Sequence, residues 1–417
     1  MSSGRFLDKS LKFDWLFMLT TLALMACGII LVYSATVSEE LPFYETFWFK
    51  QIVYFLGGCL LATGIVFLRI DWIKRMAVPL YVLALILLCV VLFFAGDVVK
   101  GAGRWIDLGF IKLQPSEFAK IAYLLIISYW LSRHPVDLAK VKTFLVPFLL
   151  FIVPFGLVLK QPDLSTALVF ISVTYVGFFF AGLSLTDMFL LTSPLLSVLF
   201  SHSQTVVFQL LWGLLICAVV FALVRRRLPK VLTGFFLVAN IFAGYASSMA
   251  WNMLEPHQQK RVNTFLDPMS DPLGDGYQVL QSLTAIGSGG LTGKGFGNGT
   301  QTNLAFLPEE HTDFIFSVLG EQFGFVGCMF ILVLYALFLW RATSTSKLYS
   351  DPFITLIVMG ASTIFLFHIL VNIAMTIGLM PVTGLPLPFL SYGGSFAMTC
   401  MVLVGGIICM RYQGQRR

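Results

Sequence analysis

Residues 255–314 read EPHQQKRVNTFLDPMSDPLGDGYQVLQSLTAIGSGGLTGKGFGNGTQTNLAFLPEEHTDF. This polar, Gly-rich stretch interrupts an otherwise almost continuous series of apolar segments. A structureless loop of such length is uncommon unless it is functional or disordered. Its aromatic and aliphatic content argues against a disordered linker. The reading is a segment that folds at one surface of a membrane protein and does chemistry or binds there.

Working outward, hydrophobic residues make up 58% of the 417, charged residues 12%, and mean hydropathy is +0.88. Soluble domains carry about 25% charged residues, so the chain belongs in a bilayer. A spanning helix needs about 20 apolar residues. Segments of this kind are Trp15–Ser34, Phe49–Leu68, Met76–Ala95, Phe118–Leu131, Phe144–Leu159, Thr166–Leu183, Met188–Phe200, Val206–Val224, Val231–Leu254, Phe314–Trp340, Phe353–Leu379 and Phe396–Met410. The expected fold is therefore an all-α polytopic membrane protein of about twelve transmembrane helices with a large structured extracytoplasmic loop. An even number puts both termini on one side.

Most of the 27 Lys and Arg residues fall in one set of connections, which marks that face, with both termini, as cytoplasmic. The remainder gather mainly in residues 96–120 and in the long loop, which suggests an anionic ligand on the outer side. The net charge of +6 is otherwise topology and implies no nucleic acid. The 7 cysteines fall in apolar spans without metal-ligand spacing, and the 5 histidines form no ligand pair, so no metal site is read.

Four blocks could carry chemistry. In GAGRWIDLGFIKLQPSEFAK, residues 101–120, Glu117 and Lys120 share one helix face. A charge in the hydrocarbon core is costly, so the pair should face the bundle interior. It reads either as a structural clasp or as a phosphate site in which Lys120 or Arg104 holds the anion. In QPDLSTA, residues 161–167, Asp163 suits a helix N-cap, with direct ligand contact as the alternative. The long loop carries Lys260 and Arg261 side by side, and Lys294 within GSGGLTGKGFGNG, residues 287–299. That run fits no nucleotide-binding motif, and its glycines are read as points of close backbone approach. The loop ends in FLPEEHTDFIF, residues 306–316, where His311, Thr312 and Asp313 meet the membrane. Thr312 or Asp313 could simply cap the next helix. Alternatively Asp313, Ser317 and Glu321, at successive i+4 positions, form a polar stripe lining a cavity. An acid there, beside basic residues, suits acid–base work next to an anionic leaving group.

The last block is PVTGLPLPFLSYGGS, residues 381–395. Its prolines and Gly-Gly pair cannot make a continuous helix. Irregular backbone at membrane depth must be buried in protein, so a broken or re-entrant element is expected.

Together, GRWIDLGFIKLQPSEFAK, QPDLSTA, RVNTFLDPMSDPLGDGYQVLQSLTAIGSGGLTGKGFGNGTQ with LPEEHTDFIFSVLGEQFG, and GLPLPFLSYGGS resemble the SEDS family (shape, elongation, division and sporulation), most of all its RodA branch. The resemblance spans nearly all of residues 1–417 as a single membrane domain, with 255–313 as the extracytoplasmic loop. The family core has about ten spans, and residues 184–230 are read as an inserted helix pair. The resemblance implies a peptidoglycan glycosyltransferase of the bacterial cytoplasmic membrane, polymerising lipid II into glycan strands at the outer face for cell elongation. It places the family's essential acid on Asp313 and its Glu–Lys pair on Glu117 and Lys120.

In the mechanism expected, a partly buried Asp313 is general base on the acceptor hydroxyl. Arg104, Lys120, Lys260, Arg261 and Lys294 steady the departing undecaprenyl pyrophosphate, and Glu117, Asp163, His311, Thr312 and Glu321 support the site. No cofactor is evident, and the need for a divalent cation is left open. The expected partners are lipid II, the nascent strand, membrane lipid and a class B penicillin-binding protein. A lipid II flippase is the rival reading.

Overall fold

A computed structural model describes residues 14–37, 42–94, 105–107, 112–134, 136–138, 140–202, 206–253, 259, 264–265, 267, 269, 275–303 and 309–414. Among the described residues the regular elements are helices apart from one short strand pair. The helices are α1 (Trp15–Thr36), α2 (Phe47–Val66), α3 (Ile70–Phe94), α4 (Pro115–Leu131), α5 (Val141–Lys160), α6 (Leu164–Phe180), α7 (Leu185–His202), α8 (Val206–Arg226) and α9 (Lys230–Met253). After them come α10 (Asp275–Gly289), α11 (Ile315–Ser344), α12 (Pro352–Thr376) and α13 (Gly394–Gly414). Strands β1 (Ile106–Asp107) and β2 (Lys112–Leu113) form an antiparallel pair with Ile106 opposite Leu113, just ahead of α4.

Every segment expected to span coincides with one of these helices. Among the described residues, 8 helices are long and apolar enough to cross a membrane: α1, α2, α3, α5, α8, α11, α12 and α13. Helices α6, α7 and α9 are shorter apolar helices. Local chemistry sets several starts. Asp14 accepts from the Phe17 amide at 3.1 Å, and Asp351 from Phe353 at 2.9 Å with Pro352 in the first turn.

The extended loop contains an element that its glycines concealed. Helix α10 arises because Val279, Leu283 and Ile286 recur at helical spacing, and it packs along α11. Ser282, fully buried on that face, meets Ser317 Oγ at 2.6 Å and donates to the Thr376 carbonyl at 2.6 Å. The contact needs glycine. A Cβ at Gly289 would sit 2.0 Å from the Gly320 carbonyl oxygen, and one at Gly293 2.1 Å from that of Gln322. The close-approach reading of this run therefore holds.

Between α12 and α13 the chain runs without helix through residues 381–393, and its stretch 387–391 is buried among α1, α2, α11 and α12. Leu387 and Leu390 are fully buried, and the Phe389 ring packs against Phe338 and Phe365. Gly28 of α1 presses on the same segment, since a Cβ there would lie 2.0 Å from the Phe389 carbonyl oxygen. The broken element is inside the protein, as its prolines require.

Helix α7 packs on α8 and α9. Asn240 of α9 bridges Ser193 and Ser197 of α7 at 2.9 Å each, and Arg226 of α8 clamps Asp187 of α7 through two bonds of 2.8 and 2.6 Å. At one end of the bundle Asp14 gathers Arg341 of α11, at 2.9 Å, and Arg411 of α13.

The α10–α11 contact yields a pair of opposite outcomes. Gly289→Ala should lower stability by about 1–3 kcal/mol through overpacking. Gly287→Ala, with no heavy atom within 4 Å of its Cβ position, should leave stability unchanged or raise it by about 0.5–1 kcal/mol. Thermal unfolding of the two variants in detergent measures the contrast.

Candidate active site

Helix α4 begins at Pro115 and brings Glu117 and Lys120 to the centre of the bundle. Lys120 is 1% exposed, and its ammonium donates to Glu117 Oε1 at 2.8 Å. It also donates to His368 Nε2 at 3.1 Å and lies over the Phe396 ring, 5.4 Å from the centroid. His368 Nδ1 faces the Pro386 carbonyl at 3.1 Å. A carbonyl can only accept, so Nδ1 carries the proton and Nε2 is the bare acceptor for Lys120. Glu117 Oε2 is buried without a hydrogen-bond partner among the described residues. These contacts tie α4 to α12.

Asp163 caps α6, accepting from the Thr166 amide at 3.1 Å. Neighbouring contacts join two other segments to this point. The Gln114 amide donates to Ser395 Oγ at 3.1 Å, and Ser165 Oγ donates to the Thr383 carbonyl at 2.5 Å. Segments 112–120, 161–167 and 381–395, remote in sequence, are thus side by side.

Asp313 stands in a turn before α11. Neither it nor Thr312 caps that helix: the N-cap is Phe314, without a side-chain cap bond. The turn closes instead on Glu309, whose carbonyl accepts from the Thr312 and Asp313 amides at 3.2 and 3.0 Å and whose φ is +55°. Thr312 Oγ1 bonds the same carbonyl at 3.1 Å. The His311 ring packs against Phe47 in a tilted arrangement with centroids 4.3 Å apart, and the His311 carbonyl accepts from the Tyr392 amide at 2.9 Å. Burial pushes the Tyr392 phenol well above its ordinary value, with Tyr54 beside it adding to the shift, so the phenol stays neutral. Asn372 of α12 donates to the Asp313 carbonyl at 2.9 Å and to the Leu385 carbonyl at 2.8 Å. The Asp313 carboxylate lies against Gly384, where a Cβ would come within 3.4 Å of Oδ2. Asp313 is half-buried.

The stripe below Asp313 is not a cavity lining. Ser317 is covered by Ser282, and Glu321, 0% exposed, is enclosed by the Gly-rich turn. Glu321 Oε1 accepts from Lys294 Nζ at 2.7 Å, from Thr300 Oγ1 at 3.0 Å and from the Gln301 amide at 3.0 Å. Main-chain bonds from Lys294 to Glu321 and from Gly295 to Gln322, both 3.0 Å, complete the seam. Lys294 therefore holds the turn to α11 rather than standing ready for an anion, and Lys120 is likewise committed to Glu117 and His368. Arg104, Lys260 and Arg261 lie outside the described residues.

The family of cell cycle proteins described as FtsW/RodA/SpoVE matches residues 14–415. The chain belongs to this SEDS family. The peptidoglycan glycosyltransferase RodA of Treponema pallidum is 35% identical over 418 residues, covering 94% of this chain and 96% of that one. A probable peptidoglycan glycosyltransferase FtsW of Trichlorobacter lovleyi is 35% identical over 402 residues, covering 94% and 92%. Among solved structures, a chain of a peptidoglycan synthase complex that coordinates polymerization and crosslinking superimposes with TM-score 0.70 at 30% identity, over 96% of this chain and 98% of that one.

Two residues of this SEDS site escaped the sequence reading. His368 and Asn372 stand one turn apart on α12, inside an apolar span, and both bond the 381–393 segment. Polar residues at i and i+4 in a spanning helix were the available signal.

The buried pair makes a measurable prediction. Lys120→Met leaves Glu117 an uncompensated buried charge, and should cost about 3–5 kcal/mol. The double variant Lys120→Met/Glu117→Gln should recover a large part of that loss. A double-mutant cycle on the unfolding free energy reads the coupling directly.

Proposed function

We propose that this protein is a peptidoglycan glycosyltransferase that polymerises lipid II at the outer face of the bacterial cytoplasmic membrane, serving cell elongation. The carrying observation is Asp313: a half-buried acid in a turn pinned by Asn372 and the Tyr392 amide, beneath Gly384, in a chain whose relatives bear that activity by name.

Asp313 takes the proton from the acceptor sugar 4-hydroxyl. The freed oxygen forms its bond to the anomeric carbon of the lipid-linked strand as that carbon's bond to undecaprenyl pyrophosphate breaks, with inversion. A positioned base is worth typically 10²–10⁴-fold, and charge stabilisation of the leaving group contributes on a similar scale. With Lys120 and Lys294 each held by a buried carboxylate, the pyrophosphate falls to Arg104, Lys260 and Arg261. Lys120 and Lys294 serve it indirectly, by fixing α4 and the Gly-rich turn. A divalent cation at the pyrophosphate is compatible with this scheme. Both substrates keep their lipid tails in the bilayer, which is why the catalyst is a helix bundle.

All twelve apolar helices span in this reading, with both termini cytoplasmic and residues 255–313 outside. Helices α7 and α8, within residues 184–230, are the pair added to a ten-helix core. The arrangement supports a class B penicillin-binding protein as partner, in keeping with the synthase complex that the fold resembles.

The test is polymerisation of fluorescent lipid II by the purified protein with its cognate penicillin-binding protein, the transpeptidase blocked. Wild type should give glycan ladders. Asp313→Asn should lower the rate by at least about 10²-fold while remaining folded. Near-full polymerisation by the variant would remove Asp313 from the mechanism, and lipid II crossing a liposome bilayer without ladders would mark a transporter.

A further inference from the structure

Asn372 is 0% exposed near the C-terminal end of the apolar helix α12, and its side-chain NH2 is fully used. One N–H goes to the Asp313 carbonyl at 2.9 Å and the other to the Leu385 carbonyl at 2.8 Å. These acceptors belong to two segments that do not otherwise share regular structure. The first carries the proposed base, and the second follows directly on Gly384, which rests against the Asp313 carboxylate. Asn372 Oδ1, by contrast, is buried with no hydrogen-bond partner among the described residues. A buried acceptor without a partner is unfavourable. A leucine would fill the same volume without that penalty, so packing alone does not account for an amide here. The two donors do.

We propose that Asn372 is a positioning residue for Asp313, clamping the start of α11 to the 384–385 backbone so that the carboxylate is presented in one orientation. The inference rests on the reading of Asp313 as the base. His368 reinforces the clamp from one turn away by holding Pro386, the next residue along the same segment. The base is thereby held through its own main chain. Without the clamp the turn at 309–313 keeps its Glu309 bonds and the bond from the Tyr392 amide to the His311 carbonyl, but Asp313 itself loses its main-chain tie to the backbone beside Gly384. Misplacement of a catalytic group by about 1 Å costs on the order of 10²-fold in rate.

The experiment compares Asn372→Leu, Asn372→Asp and Asn372→His with wild type and Asp313→Ala, all purified with the partner. Steady-state polymerisation of fluorescent lipid II is measured beside thermal unfolding. Asn372→Leu should unfold near the wild-type temperature and keep KM for lipid II within about threefold, while kcat falls on the order of 10²-fold. Asn372→Asp, of the same shape but without the donors, should show the same split, and carries the comparison if the leucine variant does not accumulate. Asn372→His, which returns an N–H at the same distance from the main chain, should recover at least about tenfold of the lost kcat.

A leucine or aspartate variant with kcat near wild type overturns the proposal. So does a loss in which kcat, KM and unfolding temperature worsen together and histidine rescues nothing, because that pattern belongs to a merely structural residue. If Asp313→Ala itself polymerises, the reading of the base fails first. If Asp313→Ala is inactive and Asn372→Leu is active, only the positioning inference fails.

Discussion

A non-helical stretch of backbone set at membrane depth must have its amides and carbonyls satisfied by the protein, because lipid satisfies none of them. Residues 381–393 impose that demand, and much of the bundle's polar chemistry answers it. Asn372 and His368 take the carbonyls of Leu385 and Pro386, Tyr335 takes that of Pro388, and Gln51 that of Ser391. Ser391 Oγ receives the Leu387 amide, and the Tyr392 amide reaches the His311 carbonyl. These partners come from α2, α11, α12 and the turn before α11. Satisfying one irregular segment therefore locks four parts of the fold into register, and the turn that bears Asp313 is among them.

Charge follows the same economy. Lys120 with Glu117, Lys294 with Glu321, Arg226 with Asp187, and Arg341 with Arg411 around Asp14 place cations against carboxylates that are themselves buried. A buried charge alone is strongly unfavourable, whereas a paired and hydrogen-bonded one is tolerated. Each pair also joins elements: α4 to α12 through His368, the Gly-rich turn to α11, α7 to α8, and α1 to α11 and α13. In the proposed mechanism Lys120 and Lys294 accordingly serve by holding the scaffold.

Close approach is the third device. Gly289 and Gly293 let the end of α10 and the following turn lie directly on the α11 backbone, and Gly324, at φ +62°, kinks α11 where that turn crosses it. Small residues substitute for the hydrophobic drive that lipid removes from helix association. Gly405 does the same between α2 and α13, where a Cβ would lie 2.7 Å from Ala62 Cα.

The sequence by itself determined the membrane setting, the helical spans, the Glu117–Lys120 face, the cap at Asp163 and the burial of the Pro- and Gly-rich segment. Each follows from a local rule: apolar length, i+3 spacing, capping chemistry, or the exclusion of bare backbone from lipid. The resemblance to the SEDS family pointed to Asp313 as the acid of interest, whereas HTDF taken alone favoured a plain helix cap; the turn closes on Glu309 instead. Only the tertiary structure decided what holds that acid. Asn372 lies 59 residues beyond Asp313, and Lys294 finds Glu321 across 27 residues. No periodicity reports partners at such separations, because the choice between a cation kept for substrate and one spent on a carboxylate is made by which backbones pack together.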